Sequence, residues 1–357
     1  TKYKIALCDL GRGFRGGQRQ TLNLARAFQY SGQEVVVICQ NRGELLKRCE
    51  LNGIEVIPSR YSILSILFEG RKLARELKNM GAEIFHASDS HSHTLGLIVK
   101  RKYPELKMVV TVRTAFDKSG SLSKRLKYNS RKVNAYVALS RKVSDILLKK
   151  GIPPSKINVI PSSVDYDLFN PGGREESEIF RVGTAGALEK DKGADLILLA
   201  LAKTKDQLGE FVFRIAGEGE YRESLELQAE KLGLNDRVEF PGFVDDMPEF
   251  YRSLDLYILA SKSEGLGSSL LEAGACGAAI AGTKIPAIES IITDKRNGFL
   301  FDRSDLRGLS EIILTVSRNG ELGNKIRKEF YNSLRKYDIN NISGQHLELY
   351  GKLMEKN

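Results

Sequence analysis

The sequence has no tryptophan, only four cysteines and four histidines, and no apolar run that approaches a membrane span. Each shortage excludes something. Without Trp, and with no RNA-recognition motif or aromatic-rich basic stripe, nothing favours base stacking on a nucleic acid. Cys8, Cys39, Cys49 and Cys276 form no C-x-x-C pair, and no His falls at zinc-ligand spacing from any of them, so they read as reduced, buried thiols rather than a disulfide frame or metal knuckle. The opening TKYKIALCDLG has an apolar run of only four residues before Asp9, and LILLALA falls far below the roughly 18 residues of a spanning helix. The expectation is a cytoplasmic protein whose membrane contact, on the inner face, is peripheral.

What is present is ordinary globular composition, 41% apolar and 28% charged over 357 residues, enough for about two domains. The net charge of +10 is the unusual number. Residues 1–172 hold 30 Lys and Arg against 14 Asp and Glu, whereas residues 173–357 hold 25 against 31. Between Lys118 and Lys150 ten basic residues face one acid, Asp145. Such asymmetry marks an anionic partner for the first half; the bland alternative is a solvated basic surface.

Apolar strands alternate with amphipathic helices throughout. KIALCDL leads through GRGFRGG into a helix with Thr21, Leu24, Ala25 and Phe28 on one face; EVVVIC, IEVIPS, AEIFHAS, KMVVTVR and NAYVALS follow as strands. Pro161–Glu178 lacks periodicity and reads as a linker, after which FRVGTAGAL restarts the pattern. The expectation is an α/β protein with two Rossmann-like parallel-sheet domains: 1–165, and 166–340, with a C-terminal helix at about 341–357 free to pack on either. Open α/β sheets bind ligands at the carboxyl ends of their strands, so two such domains facing each other would make one cleft.

Gly11, Gly13 and Gly16 form G-x-G-x-x-G after the first strand, but Gln40 and Asn41 stand where a dinucleotide site wants an acid. Gly16 and Gly17 at a helix start still suit an anion; the plain alternative is a tight strand-to-helix turn. The segment LASKSEGLGSSLLEAGACG is more informative. Glu264 and Glu272 are separated by seven residues that include Leu266, Gly267, Ser268 and Ser269, and the free amides and hydroxyls of a helix start there could hold a diphosphate. Carboxylates flanking a phosphate loop make sense where each accepts hydroxyls, as sugar and ribose rings supply. Otherwise Glu264 is a loop acid and Glu272 complements the helix dipole.

These residues, in S-x-x-E-G-x-G-x-x-x-x-E-A, resemble the E-x7-E signature of glycosyltransferase family 4, retaining enzymes of the GT-B fold that use nucleotide sugars. The resemblance runs along nearly the whole chain: Gly16 and Gly17 with LARAFQYSGQEVVVI, the ALSRKVSDILLKKG to NP stretch, TAGALEKDKGADLILLALA and RIAGEGEYRESLELQAEKLGLNDRVEFPGFVDD are similar to successive family segments. It implies a donor site of Gly16, Gly17, Lys192, Gly217, Gly242, Phe243, Val244, Leu266, Gly267, Ser268, Ser269 and Glu272, with Glu264 on the donor sugar and Glu272 on the ribose. No metal or other cofactor is implied, since lysine and amides neutralise the diphosphate; Asp165 and Asp167 form a D-x-D, but on the linker. The implied partners are a nucleotide-sugar donor, a UDP-sugar by preference, and an anionic glycan or lipid-linked acceptor on the first domain. An anionic membrane, but no nucleic acid, completes the set, with Lys124, Arg125, Lys127, Arg131 and Lys132 toward acceptor or membrane.

Two departures stand out. Ala187 occupies the place of a family arginine, leaving Lys190, Arg113 or Arg15 to compensate, and Arg113 occupies the place of a histidine. Arg113 stays protonated, so it suits an anionic acceptor group or the leaving phosphate rather than a general base, and it joins Glu264 as a catalytic candidate. His86, with Asp89, His91 and His93 in HASDSHSH, is a third candidate, for contact with the acceptor. A nucleotide-sugar epimerase or sugar phosphorylase of the same fold, an NAD(P)-dependent oxidoreductase and a non-catalytic binder of anionic polymers remain as alternatives.

Overall fold

The computed structural model describes residues 1–62, 65–113, 127–128, 131–172 and 177–355. Lys124 and Arg125 lie outside the described residues. The chain divides into two compact units, Thr1–Ser163 with Ile339–Asn357, and Val164–Asp338. The segment Ile339–Glu355 is a helix and belongs to the first unit.

Among the described residues the first unit is built on seven strands: β1 (Lys4–Asp9), β2 (Glu34–Gln40), β3 (Glu55–Ser59), β4 (Ile84–Ala87), β5 (Lys107–Val112), β6 (Ala135–Ala138) and β7 (Ile157–Val159). They form one parallel sheet in the order β3-β2-β1-β4-β5-β6-β7. Because helices cover both faces, central strands must be apolar on both sides. Ala6 and Cys8 of β1 join Phe85, Ala87, Leu73 and Leu95 in one core, while Ile5 and Leu7 join Ile84, Phe28 and Tyr350 in the other. The Gly16–Tyr30 helix buries the face its spacing predicts, with Thr21, Leu24, Ala25 and Phe28 inside.

The second unit carries β8 (Phe180–Ala185), β9 (Phe211–Ala216), β10 (Val238–Gly242), β11 (Leu256–Leu259), β12 (Ala279–Thr283) and β13 (Phe299–Phe301). Their order is β10-β9-β8-β11-β12-β13, again all parallel. The Ala194–Leu208 helix sets Ala194, Ile197, Leu198 and Leu201 against this sheet. In each unit the strand order reverses once, at β1/β4 and at β8/β11. Those switch points open a crevice beyond the strand ends.

Candidate functional site

Around the β8/β11 switch point the loops touch backbone to backbone, and glycine permits it. Gly217 after β9 has φ +128, and a Cβ there would sit 1.8 Å from the Gly186 carbonyl oxygen after β8. The Gly217 N–H donates to the Gly242 carbonyl at 2.7 Å, which ties β10 into the same stack. Gly193 has φ +77 and meets the Ala260 carbonyl in the same way, at 2.3 Å. Lys262 N–H donates across to the Asp191 carbonyl at 2.8 Å.

This packing brings together two residues 72 positions apart: Lys192 Nζ lies 2.7 Å from Glu264 Oε1. Glu264 is mostly buried and Lys192 half-exposed. Next to them the Ser268–Ala275 helix starts from Gly267, at φ +92, with no side chain capping its first turn. Ser268 and Ser269 are half-buried, while Leu266 points into the core, which leaves its main chain for any ligand. One turn further, Glu272 is buried and accepts a hydrogen bond from the Tyr251 hydroxyl at 3.3 Å. Gly242 is buried at φ +71, Val244 is half-buried and Phe243 is 55% exposed, an apolar ring in water at the edge of the same loops.

Ala187 leaves a gap in charge at the end of β8. Sequence reasoning missed what stands nearby: Arg303, just past β13, donates from Nη2 to the Lys190 carbonyl at 2.9 Å. The signal was weak, since Arg303 follows FLF, an apolar run of three residues that is too short to mark a strand.

The first unit places a charged cluster at its own switch point. Asp9, the buried last residue of β1, accepts from Gly11 N–H (3.1 Å), Gln18 Nε2 (2.7 Å) and Thr21 Oγ1 (3.0 Å). Arg113, just past β5, donates to the Ser88 carbonyl (2.9 Å) and Thr21 Oγ1 (3.2 Å), and its Nη2 lies 3.8 Å from Asp9. Burial lowers the Arg113 pKa, against the opposing pull of Asp9 and Asp89. Asp89 caps the Ser90–Lys102 helix by accepting from His91 and Ser92 N–H, and also accepts from Leu10 N–H. Burial, then the Asp9 charge, raises its pKa against those amides. The Gly16–Tyr30 helix begins at Gly16, and a Cβ on Gly17 would lie 3.3 Å from Arg113 Nη1. Gly17 and Arg113 are therefore neighbours at one helix start, where backbone N–H groups favour an anion.

The structure corrects His86. It shares the face of Ile84 on β4 and lies beneath the Ile339–Glu355 helix, 1% exposed, with Nδ1 2.6 Å from the Tyr350 hydroxyl and Nε2 2.7 Å from Thr111 Oγ1. With both nitrogens engaged in the core, it has none to offer an acceptor. Burial first, then His346 and Arg113, holds its pKa well below the usual histidine range. His93 is fully buried against Tyr128, and His91 meets the Tyr61 hydroxyl. Lys127 reaches the Ser90 carbonyl and hydroxyl, Arg131 is exposed, and Lys132 is half-buried. Asp165 accepts from Asp167 N–H in a turn. Among the described residues no three His, Cys, Asp or Glu cluster as metal ligands, and no helix is long and apolar enough to cross a membrane.

Comparison with known proteins fits this geometry. A family model described as Glycosyltransferase Family 4 matches residues 14–168, and one described as Glycosyl transferases group 1 matches residues 170–333. The chain belongs to glycosyltransferase family 4. Among relatives, the phosphatidylinositol N-acetylglucosaminyltransferase gpi3 subunit of Schizosaccharomyces pombe is 26% identical over 252 residues, 69% of this chain and 53% of that one. The UDP-Gal:alpha-D-GlcNAc-diphosphoundecaprenol alpha-1,3-galactosyltransferase of Escherichia coli is 24% identical over 346 residues, 89% and 88% of the two chains. The chain spans 40% to 64% of the length of the first curated relatives it matches. In structure, Anabaena Alr3699/HepE in complex with UDP-glucose superposes with a TM-score of 0.87 at 21% identity, over 98% of this chain and 99% of that one. At that identity the likeness shows the family's fold, two Rossmann-like domains of the GT-B type.

Proposed function

We propose that the protein is a retaining glycosyltransferase that moves a sugar from a UDP-sugar to a hydroxyl of an anionic glycan or lipid-linked acceptor in cell-envelope or lipopolysaccharide synthesis. The observation that carries this reading is the Lys192–Glu264 pair beside an uncapped helix start. A diphosphate at Ser268 and Ser269 competes with Glu264 for the Lys192 ammonium. As Lys192 turns to the phosphates, the Glu264 carboxylate is released to accept hydroxyls of the donor sugar. Glu272 takes the ribose, and the main chain at Gly217 and Gly242–Val244 borders the base.

The chemistry is then charge stabilisation and orientation. The acceptor hydroxyl attacks the anomeric carbon from the face the diphosphate leaves, and the departing phosphate oxygen takes its proton. Lys192 and the helix-start amides stabilise the leaving charge, with no metal assigned. Arg113 beside Gly17 serves an anionic group of the acceptor on the first unit. The relatives named above for a diphosphoundecaprenol and a phosphatidylinositol acceptor support this choice of class, and the UDP-glucose complex supports the base.

Glu264→Gln keeps the shape but loses the charge. It should lower transfer about a hundredfold or more while UDP affinity, measured by titration, is kept or rises, because the carboxylate no longer competes for Lys192. Near wild-type turnover would remove Glu264 from the mechanism. Product analysis with and without acceptor separates transfer from epimerisation or phosphorolysis, and the anomeric configuration of the product tests retention.

A further inference from the structure

The turn that carries Lys192 does not hold itself. Lys190–Lys192 is a single stretch of 3-10 helix with no buried residue, and Glu189, Lys190 and Asp191 are exposed. Its own hydrogen bonds run from Lys192 N–H to the Glu189 carbonyl at 2.9 Å and from Gly193 N–H to the Lys190 carbonyl at 3.3 Å, and bonds in so short a 3-10 piece are poorly aligned. Two donors from other loops fix it. Lys262 N–H, after β11, donates to the Asp191 carbonyl at 2.8 Å. Arg303 Nη2, after β13 and 113 residues away, donates to the Lys190 carbonyl at 2.9 Å. The Lys262 ammonium adds little, since it lies 3.9 Å from Asp191 with both side chains in solvent.

Arg303 is half-buried, and among the described residues its side chain has no other hydrogen bond and no carboxylate within ion-pair distance. A guanidinium seated on a main-chain carbonyl and on no acid acts on where that main chain runs. We propose that Arg303 is the positioning residue for Lys192: by holding the Lys190 carbonyl it aims the lysine stem at the place that Glu264 and the donor diphosphate share. Lysine is a point charge on a flexible stem, so its placement is only as good as the backbone beneath it. Ala187 puts no charge at the end of β8, which leaves the diphosphate to Lys192 and the helix-start amides. This role rests on the donor-site reading above, and Arg303 acts in it through Lys192 rather than by touching the nucleotide.

The test is a double-mutant cycle on UDP affinity, measured by titration of the full chain. Arg303→Met should weaken UDP binding about tenfold, whereas Arg303→Lys, which keeps a donor for the carbonyl, should stay within about threefold. In a Lys192→Met background, Arg303→Met should change UDP affinity less than about twofold, because two residues acting through one contact do not add. Melting of the nucleotide-free chain should fall by no more than about 2 °C in Arg303→Met. UDP affinity unmoved by Arg303→Met, a tenfold loss that persists without Lys192, or a loss that Arg303→Lys shares in full would each overturn the proposal. So would a far larger drop in nucleotide-free melting, which would mark Arg303 as a support of the fold alone. Failure of the wild type to bind UDP at all would overturn the donor-site reading itself, and this role with it.

Discussion

Gly217 shows how much a single missing side chain can carry. Its φ of +128 and the Gly186 oxygen 1.8 Å from where a Cβ would stand mean that Gly217→Ala must both strain the backbone and push neighbouring strand ends apart. The expected cost is roughly 2–4 kcal/mol, with weakened UDP binding, read by denaturant unfolding and nucleotide titration. Gly81 is the control: its φ of +70 and ψ of 32 are left-handed helical, and nothing lies within 4 Å. Gly81→Ala should cost only about 1 kcal/mol and leave UDP binding alone. At this scale the resemblance in the sequence pointed to Lys192, Glu264 and Glu272, and the structure sets the first two side by side. The sequence alone could not show that Lys192 and Glu264 hold each other, since a contact across 72 residues is set by packing. His86 departs from its expected role for a related reason. Strand ends are uncertain by a residue or two, and one residue of error turns a side chain from one face of a sheet to the other.

Among the elements, the Ile339–Glu355 helix makes the clearest energetic claim. It covers His86 and contributes His346, whose ring lies 5.3 Å from that of His86 and 6.3 Å from that of Phe28. Burial pushes His346 down to about 3, and burial with Lys127 nearby does the same to His93. Unfolded, each imidazole titrates near 6.5, so the unfolded chain takes up these protons first as pH falls. Stability is complete above about 6.5 and drains away down to about 3. At about pH 5 the loss should be roughly 2 kcal/mol per histidine. Thermal melting across this range should show it, and His346→Phe should remove one histidine's share of the acid slope; an unchanged slope would refute the assignment.

The longer elements were legible because alternation and the 3.6-residue period survive burial. The Ser90–Lys102 helix was not, as its first turn, SHSH, reads as polar loop until Asp89 is seen capping it. The three-residue β7 and β13 are too short to show a period, and with β13 went Arg303.

For the molecule as a whole, the donor reading predicts that UDP stabilises the folded chain. A ligand at a hundred times its dissociation constant adds about 2.7 kcal/mol. Melting should therefore rise with UDP, and more than with GDP or ADP, while protection from hydrogen exchange should gather at 186–193, 217, 242 and 264–272. Equal shifts with all three nucleotides would reject the UDP preference.

The chain's route has one more consequence. Val164–Asp338 is inserted into the first unit, whose last helix comes from the far end of the sequence; His86 meets Tyr350 across 264 residues. Translation at about 5–20 residues per second leaves the part of that face under the Ile339–Glu355 helix open for tens of seconds while the second unit is made. The first unit is thus completed only after the second, and the apolar surface around Phe28 and Ile84 stays partly open until the Ile339–Glu355 helix leaves the ribosome.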